Sequence, residues 1–147
     1  MTVTAVGGHL LGVGTDLVDV GRLRAALDRR AGLRTRLFTE QEWDFAASHH
    51  DPLPHLAARF AAKESVMKAL GRGMDSMGFA EIEVLRSPTG VPSVGLSGRA
   101  EQVAAERGVG GWLLSLTHTA ELAQAVAIAV AAGPSADESS VHATPVP

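Results

Sequence analysis

Lys63 and Lys68 are the only lysines in 147 residues. They bracket one acid, Glu64, in the run Arg59-Phe60-Ala61-Ala62-Lys63-Glu64-Ser65-Val66-Met67-Lys68-Ala69-Leu70-Gly71. The other eleven basic positions are arginine. Arginine is a planar fork, whereas lysine is a compact point charge on a flexible stem and suits a phosphate. On a helix at about 100° per residue, Glu64 falls roughly 40° from Phe60 and roughly 60° from Met67, inside an apolar stripe that also holds Leu56. A carboxylate there is costly unless compensated. Lys68, four residues on, is spaced for an ion pair. The plain reading is an ordinary ion pair on an amphipathic helix; in the functional one, Glu64 binds a cation and Lys68 faces an anion.

Asp16 is the second candidate. It ends the apolar run Leu10-Leu11-Gly12-Val13-Gly14-Thr15, where glycines let a ligand approach the backbone. Either Asp16 or Asp19 could instead cap the helix that follows; Asp19 is the better cap and Asp16 the better ligand. Hard oxygen donors from two separate segments suit Mg²⁺, which takes one or two carboxylates and completes its shell with water and phosphate oxygens. Third is Ser115-Leu116-Thr117-His118-Thr119, a histidine between threonines at a strand exit. The other histidines, including His49, His50 and His55, suggest no function, and they lack the further ligands of a zinc site. Fourth, six arginines between Arg22 and Arg36 face a single acid, Asp28. Such a patch is either a solvated face or a dock for an acidic macromolecule, and no recognition element for nucleic acid accompanies it.

These segments need a scaffold. The strand 10–18 reads as buried, and a helix is expected from about Asp19 to Ala31. Thr39 and Glu42 form a capping-box pattern for a short helix to about Ser48. Pro54 is placed to start a helix over 55–70, closed by Gly71 as a left-handed cap. Phe79–Leu85 and Val91–Leu96 read as a hairpin, Ser97 as the cap of a helix ending at Gly108, and Trp112–Thr117 and Leu122–Ala131 as two apolar strands. The order is mixed rather than alternating, which argues for an α+β domain with a mostly antiparallel sheet over residues 1–132. Residues 133–147, rich in Gly, Pro, Ser and acids, are expected to be a disordered tail.

Net charge is −3, which gives no general pull toward nucleic acid or anionic membrane. The longest apolar stretch is too short to span a bilayer, and no signal sequence opens the chain. With no cysteine, disulfides and thiolate metal sites are excluded. A soluble, cytoplasmic protein is expected.

Together the pieces resemble a known family. Gly12-Val13-Gly14-Thr15-Asp16-Leu17-Val18-Asp19 with Arg22, then Arg59 to Glu64 with Lys68-Ala69-Leu70-Gly71, then Ser115-Leu116-Thr117-His118 look like the three signature segments of holo-acyl-carrier-protein synthases, the short-type 4′-phosphopantetheinyl transferases. The resemblance covers about residues 10–131. It implies an α+β homotrimer with active sites at subunit interfaces. The implied reaction moves 4′-phosphopantetheine from coenzyme A to a serine of an acyl carrier protein and releases adenosine 3′,5′-bisphosphate. By position, Asp16 and Glu64 match the Mg²⁺ ligands, and Lys68 matches the lysine at the coenzyme A phosphates. Arg59, Gly71, Gly90, Pro92, His118 and Thr119 match coenzyme A contacts, and Arg22 and Arg29 match arginines that dock the carrier's acidic helix.

Two departures stand out. The family's usual Gly-Lys-Pro turn is Gly90-Val91-Pro92 here, which removes a cation. Its common Gly-Thr-Gly is Gly71-Arg72-Gly73, which restores one. A carrier from polyketide or peptide synthesis is the nearest alternative. A non-catalytic coenzyme A-binding module ranks lower, since it would be free to lose Asp16, Glu64, Lys68 and His118. A basic-patch interaction protein would explain the arginines but not the lysines.

Overall fold

The computed structural model describes residues 9–133. The tail from residue 134 onward, expected to be disordered, lies outside them. The elements run β1 (Leu10–Asp19), α1 (Val20–Arg29), α2 (Leu33–Leu37), α3 (Glu40–Ala47) and α4 (Pro52–Ala69). After 3₁₀ turns at Met74–Ser76 and Phe79–Glu81 come β2 (Ile82–Arg86), β3 (Pro92–Leu96), α5 (Gly98–Glu106), β4 (Val109–His118) and β5 (Leu122–Ala131). The antiparallel sheet β1-β5-β4 and the hairpin β2-β3 make this the expected α+β architecture.

The long helix α4 is the centre. One side of it is alanine, and it lies on the alanine column Ala123, Ala125, Ala127 and Ala129 of β5, all at most 2% exposed. Small side chains on both surfaces let backbones approach. At β1 the approach is closer still: a Cβ added at Gly14 would collide with the Ser65 carbonyl, and one at Gly12 with the Ala69 carbonyl. The Ser65 hydroxyl is buried and donates to Ala61 O (2.7 Å) and Ala125 O (3.1 Å), which stitches helix to sheet.

Local signals account for most boundaries. Asp19 caps α1 by accepting from Arg22 N at 2.9 Å. The Thr39–Glu42 capping box is complete. Gly71, at φ +67°, closes α4 with paired bonds from Gly71 N to Lys68 O and Arg72 N to Met67 O, a Schellman motif.

Some expectations shift. Helix α4 starts at Pro52, capped by Asp51, not after Pro54. Helix α2 was not legible, because its cap is Gly32 at φ +84° with no side-chain acceptor. Strand β2 begins at Ile82, since Phe79–Glu81 coils into a 3₁₀ turn. Ser97 makes no capping bond; the Glu81 carboxylate takes that role by accepting from Ala100 N at 3.2 Å. Strand β1 is buried on its glycine-bearing side only. Its other side leaves Leu10, Val13 and Leu17 between 62% and 69% exposed.

Candidate active site

Asp16 and Glu64 reach one place from different elements. The antiparallel β1–β5 register sets Asp16 opposite Ala125, on the strand face that α4 covers, and Glu64 stands on α4 beside it. Both line a cavity of about 520 Å³ together with Arg22, Leu23, Phe60 and Phe79. The Phe60 and Phe79 rings stack at 5.3 Å and form its aromatic wall. Arg30 and Arg36 also border it, so half of the arginine cluster surrounds the carboxylates.

Lys68 does not pair with Glu64 as its spacing suggested. Its Nζ donates across to β1, to Thr15 O at 2.9 Å and Asp16 Oδ1 at 3.2 Å. The tight β1–α4 approach makes the strand a nearer partner than the next helical turn. Glu64 has no ion-pair partner among the described residues. Burial pushes its carboxyl above the ordinary value, the Asp16 charge pushes it further, and Lys68 offsets this in part. A carboxylate whose ionisation is opposed by burial and by a second carboxylate is an arrangement a divalent cation relieves. The donor set, two hard oxygens open to a cavity, fits Mg²⁺ with the rest of its shell supplied by water and phosphate.

The second lysine has a different job. Lys63 is fully buried and its Nζ spends its hydrogens internally, on Glu42 Oε2 (2.7 Å), Ile82 O (2.6 Å) and Phe79 O (3.0 Å). Burial lowers its pKa and Glu42 opposes that shift. Lys63 thus holds the backbone that carries Phe79, one wall of the cavity.

The remaining candidates fall elsewhere. Arg59 is 2% exposed, with its guanidinium 4.0 Å above the Phe45 ring, Nη1 donating to His55 O at 3.4 Å, and Nε without a partner. Burial lowers its pKa to about 10. His118 sits edge-on to His55, ring centroids 4.7 Å apart. Thr119 Oγ1 accepts from Glu121 N and Leu122 N and forms the β4–β5 turn. Gly90 (φ +84°) and Pro92 lie in the β2–β3 hairpin, and Gly71 lies beyond Lys68. Arg29 is exposed, donating to Ala25 O, and does not line the cavity. Within one chain the candidates therefore form two groups: Asp16, Glu64, Lys68 and Arg22; and Arg59, His118 and Thr119.

Sequence reasoning missed His49, His55, Phe45 and Arg86, which join the second group. His49 and His55 rings lie 3.8 Å apart, and Arg86 packs 4.9 Å from the Phe45 centroid. No local pattern signalled this, because the contacts cross a loop and join separate elements.

Comparisons with known proteins bear on the family and the fold. A model of the 4′-phosphopantetheinyl transferase superfamily matches residues 12–131. The chain is 48% identical over 127 residues to the holo-[acyl-carrier-protein] synthase of Desulforudis audaxviator, covering 86% of this chain and 95% of that one. Among solved structures, the acyl carrier protein synthase of Plasmodium yoelii with ADP bound superposes with a TM-score of 0.78 at 28% identity, over 87% of this chain and all of that one. A holo-(acyl-carrier-protein) synthase from Bacillus anthracis in complex with CoA (3′,5′-ADP) gives 0.69 at 28%, over 84% and 98%. With two carboxylates and a lysine at the β1–α4 contact and a superfamily match over nearly the whole described fold, this chain belongs to the 4′-phosphopantetheinyl transferase superfamily.

Proposed function

We propose that this chain is a holo-acyl-carrier-protein synthase. It transfers 4′-phosphopantetheine from coenzyme A to a serine of an apo-acyl carrier protein and releases adenosine 3′,5′-bisphosphate. The observation that carries the reading is the meeting of Asp16 and Glu64 at one cavity, with Arg22 on its border and Lys68 paired to Asp16, in a chain 48% identical to a holo-[acyl-carrier-protein] synthase. The serine oxygen bonds to the pantetheine-side phosphorus, the bond to the adenosine-side phosphate breaks, and the serine proton leaves to solvent. Such a transfer is accelerated mainly by positioning and charge neutralisation.

Asp16 and Glu64 would hold Mg²⁺, which supplies charge neutralisation on the diphosphate. Lys68, half exposed and anchored to Thr15 O, presents a fixed positive charge beside them. Arg59, His118 and Thr119, with Gly71, Gly90 and Pro92, are assigned to coenzyme A. Arg22 and Arg29 on α1 are assigned to the acidic helix of the carrier, where charge steers encounter.

A homotrimer accounts for a feature the single chain leaves open. The outward face of the sheet carries aligned rows, Val13–Ile128–Leu113 and Thr15–Val126–Ser115, continued by Leu17. An exposed apolar face of this kind marks an interface. Light scattering after gel filtration tests the assembly. No helix among the described residues is long and apolar enough to cross a membrane, and we place the enzyme in the cytoplasm.

The decisive experiment is intact-mass spectrometry of apo-acyl carrier proteins from fatty-acid and polyketide synthesis, incubated with this protein, coenzyme A and Mg²⁺, with and without EDTA. A Mg²⁺-dependent phosphopantetheine adduct on the carrier is expected. Coenzyme A binding with no adduct on any carrier would replace this reading with a non-catalytic binding module.

A further inference from the structure

One wall of the carboxylate cavity is built by α2, through Leu33, Arg36 and Leu37. A helix of five residues cannot hold itself in place, and this one starts at Gly32 with no side-chain cap. Tertiary contacts must therefore fix where the wall stands. Leu37, 6% exposed, anchors the end of α2 in the core. Arg34 anchors its start, and it does so from outside the cavity, which it does not border. The Arg34 guanidinium lies 3.9 Å above the Trp43 ring of α3, and Nη2 reaches Glu40 Oε2 at 3.4 Å. Its Nε is buried with no hydrogen-bond partner among the described residues. A guanidinium that leaves a donor unmet is not placed there by hydrogen bonding. The flat stack on the indole is the geometry it satisfies, and the exposed Glu40 contact adds little.

The platform under Arg34 is firm. Trp43 follows Glu42, whose buried carboxylate accepts from Lys63, Thr39 N and Val84 N. A line of contacts thus runs from the core through α3 and the Trp43–Arg34 stack to α2, and it ends at the cavity wall. No residue assigned to coenzyme A borders that cavity, whereas Arg22, assigned to the carrier, does.

We propose that Arg34 and Trp43 are positioning residues for carrier recognition: stacked, they hold the α2 wall where the carrier protein seats, without touching the carrier themselves. The inference rests on the phosphopantetheinyl-transfer reading, which names the carrier as the partner. The strength of the stack bounds its effect. A cation over an indole at a partly exposed site is worth about three- to tenfold in an equilibrium. Losing it lowers the share of molecules with the wall in place by up to that factor, and the apparent carrier affinity falls with that share.

Steady-state carrier modification by the full chain tests the clamp, with the KM for apo-acyl carrier protein and for coenzyme A measured separately and Tm alongside. Arg34→Met and Trp43→Leu should each raise the carrier KM about three- to tenfold, with the coenzyme A KM and kcat within about twofold of wild type. The double variant should be no worse than either single one, because both break the same contact. Trp43→Phe keeps a ring under the guanidinium and should recover most of the loss. An unchanged carrier KM, equal rises in both KM values, or single effects that multiply in the double variant would overturn the proposal. If neither Arg34→Met nor Trp43→Leu folds, Arg34→Lys decides. It keeps the charge and loses the planar face, so the carrier KM should rise about twofold or more, and a wild-type value overturns the inference. Fluorescence anisotropy with labelled apo-acyl carrier protein separates the two readings. Modification by the wild type, with variants unchanged, would sink the clamp and leave the transferase reading standing. Carrier binding that weakens about three- to tenfold in the variants, with no modification by the wild type, would do the reverse. A wild type that neither binds nor modifies the carrier removes both.

Discussion

Gly14→Ala adds one carbon and no charge, yet it should disable the site. The new Cβ would lie 2.8 Å from the Ser65 carbonyl carbon and 2.9 Å from Ala69 N, after colliding with the Ser65 oxygen. All these atoms are backbone of α4, so no side chain can swing away. Strand and helix must therefore separate, by about 1 Å, and a displacement of that size at a reacting centre costs on the order of 10²-fold in rate. Asp16 is two residues from the insertion and Glu64 adjoins the struck residue, so the gap between the two carboxylates opens directly. Lys68 would lose its 2.9 Å bond to Thr15 O. Forcing a methyl into a packed seam costs about 1–3 kcal/mol, which for a domain of this size lowers Tm by about 3–15 °C. The assay is carrier modification by intact mass over a Mg²⁺ series, with Tm measured in parallel. A folded variant with wild-type turnover and wild-type Mg²⁺ dependence would refute the reasoning that the backbone contact sets the ligand spacing.

Other perturbations separate structural from chemical roles. Lys63→Met leaves Glu42 buried without its cation, so urea denaturation should show a loss of about 3–5 kcal/mol, partly recovered in Lys63→Met/Glu42→Gln. His55 binds its proton more weakly folded than unfolded, so stability is complete above pH 6.5 and falls as pH drops from 6.5 toward about 4. For this partly exposed ring the loss should reach about 1–2 kcal/mol once solvent screening is allowed for, and His55→Phe should flatten that part of a pH series of melting curves. Arg22→Glu should raise the KM for carrier protein more than the KM for coenzyme A; equal changes would remove Arg22 from the docking surface.

The β1 glycines and the Thr39–Glu42 capping box were legible because each is a local requirement written in residue type, whereas Lys63, read with Lys68 as suited to a phosphate, is buried on Glu42. Asp19 was read as the cap and Asp16 as the ligand; Asp19 does cap α1, and both aspartates border the cavity. Pairing Lys68 with Glu64 failed because helical spacing sees only its own helix, while the nearer partner, Asp16, comes from 52 residues away. The histidine stack was invisible for the same reason. His49 lies beyond α3, His55 on α4 and His118 at the end of β4, and only the packing of those elements brings the rings together. Strand β1 was read as wholly buried because aliphatic residues fill both its faces. One face meets α4, and the other leaves Leu10, Val13 and Leu17 exposed.

Glu42 has a consequence for how the molecule opens. Its Oε2 accepts from Thr39 N and from Lys63, and its Oε1 accepts from Val84 N at 2.9 Å. One buried carboxylate thus joins the start of α3, the middle of α4 and strand β2. None of the three can detach without stranding a charge away from water, so partial opening there is as costly as a much larger unfolding event. The hairpin β2-β3, which as an isolated two-stranded ribbon would fray, should then exchange its amide hydrogens with the slow kinetics of α4. A small sheet remote from the carboxylates acquires the rigidity of the central helix, and with it the Phe79 wall keeps its place while ligands come and go.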